Sequence, residues 1–102
     1  MNHSFHPEAA WEFAEAVRYY QQRGPNLGSR FDREIRSTIA RITATPERWQ
    51  FLEADVRRCL VRVFPYRVLY SMEVDCLLII AVMHEKREPG YWRHRLENRT
   101  RR

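Results

Sequence analysis

The chain has 102 residues, 44% of them hydrophobic, with only 3 Gly and 5 Pro. That excludes a disordered or low-complexity chain and fits one small domain spanning residues 1–102. The net charge of +5 is unevenly placed: residues 1–55 carry 7 Arg and 8 acids, residues 56–102 carry 10 Arg, 1 Lys and 5 acids. A guanidinium makes planar, bidentate contact with phosphate or carboxylate, so the basic second half implies nucleic acid or an acidic protein as partner. No apolar run approaches a membrane span, and the first six residues are too short and polar for a secretory signal. The expectation is a reduced, cytoplasmic protein without membrane contact. Cys59 and Cys76 fall in strand-like segments and read as packed thiols. Neither is spaced with His3, His6, His84 or His94 as a ligand set, so no metal and no cofactor are expected.

Residues 2–6 read as a short first strand, ended by Pro7. Pro7 suits the first turn of a helix, and Glu8 and Glu12 sit near the positive end of its dipole. Ala10, Phe13, Ala14 and Val17 recur at helical spacing as its apolar face, and Gly24-Pro25 ends it. Asn26 is placed to cap a second helix, whose stripe is Leu27, Phe31, Ile35, Ile39 and Ile42 and whose end is set by Pro46. Trp11 and Trp49 read as packing residues on the helix side.

Beyond Pro46 the period changes to two. Cys59, Val61 and Val63 alternate with Arg58, Leu60 and Arg62 in a strand over Val56–Val63. Phe64-Pro65-Tyr66 breaks the ladder. A strand over Arg67–Met72 follows, then a hairpin turn at Glu73-Val74-Asp75. Cys76–Met83 is apolar at nearly every position, as a strand buried on both faces requires. The order β-α-α-β-β-β predicts an α+β fold: a small antiparallel sheet with a two-helix hairpin on one face. The other face would carry Arg58, Arg62 and Arg67. The polar, basic tail from His84 is expected to lie beside that face, with its basic end over about 93–102 flexible.

Phe5-His6-Pro7-Glu8-Ala9 before an alanine-rich helix resembles the opening of RelE/ParE-family toxins. So do Arg57-Arg58 on a strand and the run from Phe64 to Tyr70. Ile80-Ala81-Val82-Met83-His84, followed by Arg87, Pro89, Tyr91, Trp92 and Arg95, completes the likeness. The resemblance implies the toxin of a type II toxin–antitoxin system, with a cognate antitoxin as partner. Its target would be mRNA on the ribosome, cut without a metal, or DNA gyrase. Arg67 and Arg87 match catalytic arginines of the RelE-like nucleases. Tyr91 lies near the catalytic tyrosine at a different spacing, and Arg58 and Arg62 stand nearest to that group's strand lysines.

Metal-free RNA cleavage needs proton transfer and positive charge over the phosphate. Arginine clamps but does not titrate. The division expected for a nuclease is therefore Arg67 and Arg87 as clamps, His84 and Tyr91 as proton handlers, and Arg58, Arg62 and Arg95 as target-binding groups. An antitoxin would cover the basic face with an acidic, amphipathic segment. A different class of function is a non-catalytic nucleic-acid-binding module that uses the same basic face.

Overall fold

The computed structural model describes residues 1–97. Strand β1 (Asn2–Phe5) leads into helix α1 (Pro7–Gln21) and helix α2 (Leu27–Ala44). Then come β2 (Phe51–Glu53), β3 (Val56–Leu60), β4 (Tyr66–Met72), β5 (Cys76–His84) and a short 3-10 helix at Arg93–Leu96. The strands form one sheet in the order β1-β5-β4-β3-β2. The expected α+β order holds, with one short edge strand, β2, added. The sheet is mixed rather than wholly antiparallel, because β1 pairs parallel with β5, Ser4 lying opposite Leu78. β3, β4 and β5 are the antiparallel meander.

Both helices pack on one sheet face. Phe31, Ile35, Ile39 and Ile42 of α2 are buried against Cys59, Val68, Tyr70 and Ile79 of the sheet, as the helical stripe required. Gly28 sits where the two helices approach most closely: a Cβ there would lie 2.8 Å from the carbonyl oxygen of Val17. Asn26 holds the N-cap position with φ 62°, but its side chain makes no capping bond. Tyr20, Phe31, Phe64 and Tyr66 join the helices to the β3–β4 turn as an aromatic cluster, with ring centroids 4.8–6.3 Å apart.

The other face carries a second core, made by Val56, Leu69, Ile80, Ala81 and Met83 beneath Trp92. A bulge on β5 makes this possible. Leu69 pairs with Ala81 and Tyr70 with Ile79, so Ile80 is an extra residue. Both Ile80 and Ala81 thereby reach the outer face.

Four further expectations are corrected. The buried face of α1 is Ala9, Phe13 and Ala16, while Ala10 and Ala14 are exposed. The helix is turned by about one residue because Glu12, discussed below, has to face the sheet. The third strand stops at Leu60, which leaves Arg62 and Val63 in the loop. Val63 is 69% exposed with φ 74°, since the chain reverses there to tuck Phe64 inside. Trp11 is 66% exposed rather than packed; Trp49, by contrast, is half-buried against the core. The tail is folded at least through Leu96, with Trp92 and Arg95 buried. Residues 98–102 lie outside the described residues.

Candidate functional site

β1 is short. His6 still donates its backbone N–H to the Ile79 carbonyl at 2.9 Å, but from Ile80 onward β5 has no strand beside it on that side. Unpaired backbone groups inside a protein are costly, and side chains replace the missing strand. Glu12 of α1 accepts the Val82 N–H at 3.1 Å. Arg95 donates to the Ile80 carbonyl at 3.0 Å. The two side chains then pair with each other at 2.7 and 3.0 Å.

The Glu12 carboxylate also accepts a hydrogen bond from the Tyr91 hydroxyl. Burial first, then this bond and the adjacent negative charge, push the Tyr91 pKa well above that of an ordinary phenol. Tyr91 is therefore held as a protonated donor. Arg87 lies with its guanidinium 3.8 Å from the centre of the Tyr91 ring and reaches Glu12 only at 4.0 Å. Glu8 takes His94 at 2.9 Å and Arg95 at 3.5 Å, and its bond to His94 holds its carboxyl below the usual range. At the start of α1, His6 caps the helix by accepting the Glu8 N–H on Nδ1 at 3.0 Å. Arg93 ties the same segment to β2 through two bonds to Glu53, at 2.7 and 2.9 Å.

His84 ends β5 with its ring 5.1 Å from that of Tyr66, and its Nδ1 accepts the Lys86 N–H at 3.0 Å. His84, Arg87, Tyr66, Val82 and Tyr19 border a groove of about 360 Å³ beside α1. His84, Arg87 and Tyr91 are thus gathered at one edge of the sheet, around Glu12.

Arg67 is not with them. It pairs with Met83 on β5 and Leu60 on β3, whereas Tyr66 pairs with His84. Neighbouring positions on a strand face opposite ways, so Arg67 and His84 lie on opposite faces of the sheet. Arg67 is half-buried, and its Nε has no hydrogen-bond partner. Arg58 shares its face and reaches Gln50 at 3.3 Å, while Arg62 is exposed in the adjoining loop. Arg95, expected on the target-binding surface, is 4% exposed and consumed by Glu12 and Ile80. Arg57 is also structural: it donates to the carbonyls of Glu47 and Trp49 at 2.9 and 2.8 Å and covers the Phe51 ring.

Sequence reasoning missed Glu12. Its signal was there, an acid at the helical spacing of Ala9, Phe13 and Ala16, but it reads equally well as a dipole complement near a helix start.

Among the described residues no three His, Cys, Asp or Glu side chains form a metal-ligand group. No helix among them is long and apolar enough to cross a membrane.

A two-helix layer on a small mixed sheet, with an ion-paired strap over residues 91–95 and an arginine-bearing outer face, defines a small α+β domain. The family described as "ParE toxin of type II toxin-antitoxin system, parDE" matches residues 4–89. The chain belongs to that family and is the toxin of a type II toxin–antitoxin system, with a cognate antitoxin as its partner. A search of curated proteins found no significant relative.

Proposed function

We propose that the chain arrests bacterial growth by binding DNA gyrase and does not cut mRNA on the ribosome. The observation that carries this reading is the pairing of Tyr66 with His84 and of Arg67 with Met83. It separates Arg67, one of the two expected clamps, from the imidazole and leaves only Arg87 beside it, while the Tyr91 hydroxyl is spent on Glu12. One phosphate cannot sit within hydrogen-bond reach of a clamp and a proton carrier on opposite faces of a sheet. Arg58, Arg62 and Arg67, next to the exposed Leu60 and Val63, instead suit a protein or protein–DNA surface recognised by charge and apolar contact. The protein would act in the cytoplasm, where gyrase is.

The test incubates the purified protein with gyrase and relaxed plasmid and, in parallel, with translating ribosomes and a defined mRNA. Loss of supercoiling with intact mRNA is expected. Cleavage of ribosome-bound mRNA with gyrase unaffected would overturn the reading. Within it, Arg67→Glu should abolish inhibition, while Arg67→Lys, which keeps the charge, stays within about tenfold of the wild type.

A further inference from the structure

The groove beside α1 has a charge pattern that the ion-paired strap does not use up. Trp11, Glu15 and Tyr19 are spaced four residues apart and share one helix face. Trp11 and Tyr19 are 66% and 49% exposed, unusually open for large aromatics on a small domain. They border the lobe of about 360 Å³ that also meets Tyr66, Val82 and Arg87. A second lobe of about 370 Å³ continues past Trp11, Glu12 and Arg87 toward Pro7. Trp11, Glu12 and Arg87 therefore line both lobes of this channel along α1.

Every acid in the channel is already matched: Glu15 by Arg18, Glu8 by His94 and Arg95, and Glu12 by Arg95, Tyr91 and the Val82 N–H. Arg87 differs. Among the described residues the carboxylate it reaches, that of Glu12, is 4.0 Å away, its side chain is 49% exposed, and its guanidinium lies 3.8 Å from the centre of the Tyr91 ring. A half-exposed guanidinium held over an aromatic ring is pre-organised to receive a carboxylate.

We infer that this channel is the docking site for an acidic segment of the cognate antitoxin. One carboxylate of that segment would pair with Arg87, and a neighbouring apolar side chain would enter the aromatic lobe between Tyr19 and Tyr66. The inference rests on the toxin–antitoxin pairing of the family and not on gyrase being the target. It puts neutralisation on the α1 edge, apart from the arginines of the outer face.

The test measures antitoxin binding and growth arrest for the same variants. The purified cognate antitoxin is titrated against the wild type, Trp11→Phe, Trp11→Glu, Tyr19→Glu and Arg87→Gln, each checked for native circular dichroism. Trp11→Glu and Arg87→Gln should weaken binding roughly ten- to a thousandfold, the range of an interface anchor. Trp11→Phe should stay near the wild type. Cells expressing Trp11→Glu together with antitoxin should stop growing, because that variant is toxic but no longer neutralised. Weakened antitoxin binding in Trp11→Glu and Arg87→Gln, with a wild type that fails to arrest growth, would sink the toxin reading and leave the groove standing. Wild-type affinity in folded Trp11→Glu and Arg87→Gln would overturn the inference.

Discussion

Glu12 and Arg95 are 83 positions apart and meet in a two-point ion pair at 2.7 and 3.0 Å, each also bonded to the backbone of β5. The pair extends the sheet edge where β1 stops, doing with side chains what a strand does with peptide groups. Removing one member takes the main counter-ion from the other charge and leaves a backbone group of β5 without its side-chain partner. Arg95→Ala should therefore cost about 3–5 kcal/mol, a large part of the stability of a domain this size. Urea denaturation of Arg95→Ala, Glu12→Ala and the double variant measures it. The double variant should lose clearly less than the sum of the singles, and additive losses would show that the pair is not coupled.

Gly28→Ala is expected to destabilise, although alanine is the better helix former by about 1 kcal/mol. Its Cβ would meet the Val17 carbonyl at 2.8 Å and the Gln21 side chain at 2.1 Å. Gln21 can swing away, whereas the carbonyl belongs to α1 and cannot. Overpacking of this kind costs roughly 1–3 kcal/mol, so thermal unfolding should show a lower Tm.

Val63→Gly should raise the Tm. A β-branched residue at φ 74° is strained, and at 69% exposure its side chain buries little in return. Relief of about 1 kcal/mol would correspond to roughly 4–8 °C at this chain length. An unchanged or lower Tm would show that the Val63 side chain contributes more than its exposure suggests.

Alkali should unfold the protein in a defined window. Burial pushes Tyr66 and Tyr70 up to about 12, and Tyr91 higher still. In the unfolded chain these phenols ionise near 10. Their raised folded values favour the native state fully below pH 10, and that contribution is lost as the pH climbs through about 12. Absorbance at the phenolate band should show a late group of tyrosines that ionise together with the loss of the circular dichroism signal. Tyr70→Phe would remove one of them, along with the bond from its hydroxyl to the Pro46 carbonyl at 2.6 Å.

Most of the layer order was legible because it rests on local periodicity. The stripe of α2 and the two-faced burial of β5 follow from apolar spacing alone. The face of α1 did not, since its alanines at 9, 10, 14 and 16 satisfy two phases, and only the inward-facing Glu12 decides between them. β1 and β2 are four and three residues long, too short for alternation to set their direction or pairing. At the candidate site, His84, Arg87 and Tyr91 came together because they are close in the chain. Arg67 was grouped with them by resemblance, and a single step of strand alternation places it elsewhere. Arg95 looked like part of a basic tail because nothing local marks an arginine as the counter-ion of a helix acid 83 residues away.

The strap has a consequence for how the molecule is made. The ribosome releases the N-terminal end first, at about 5–20 residues per second. β1 and α1 therefore emerge long before Tyr91, Trp92 and Arg95, and β1 has no partner until Cys76–Ile79 follows. Throughout that interval Glu12 lacks its counter-ion and the outer face lacks its tryptophan cover. A nascent chain stalled before residue 90 should stay sensitive to protease, and a transcript truncated near its 3′ end should yield no stable toxin.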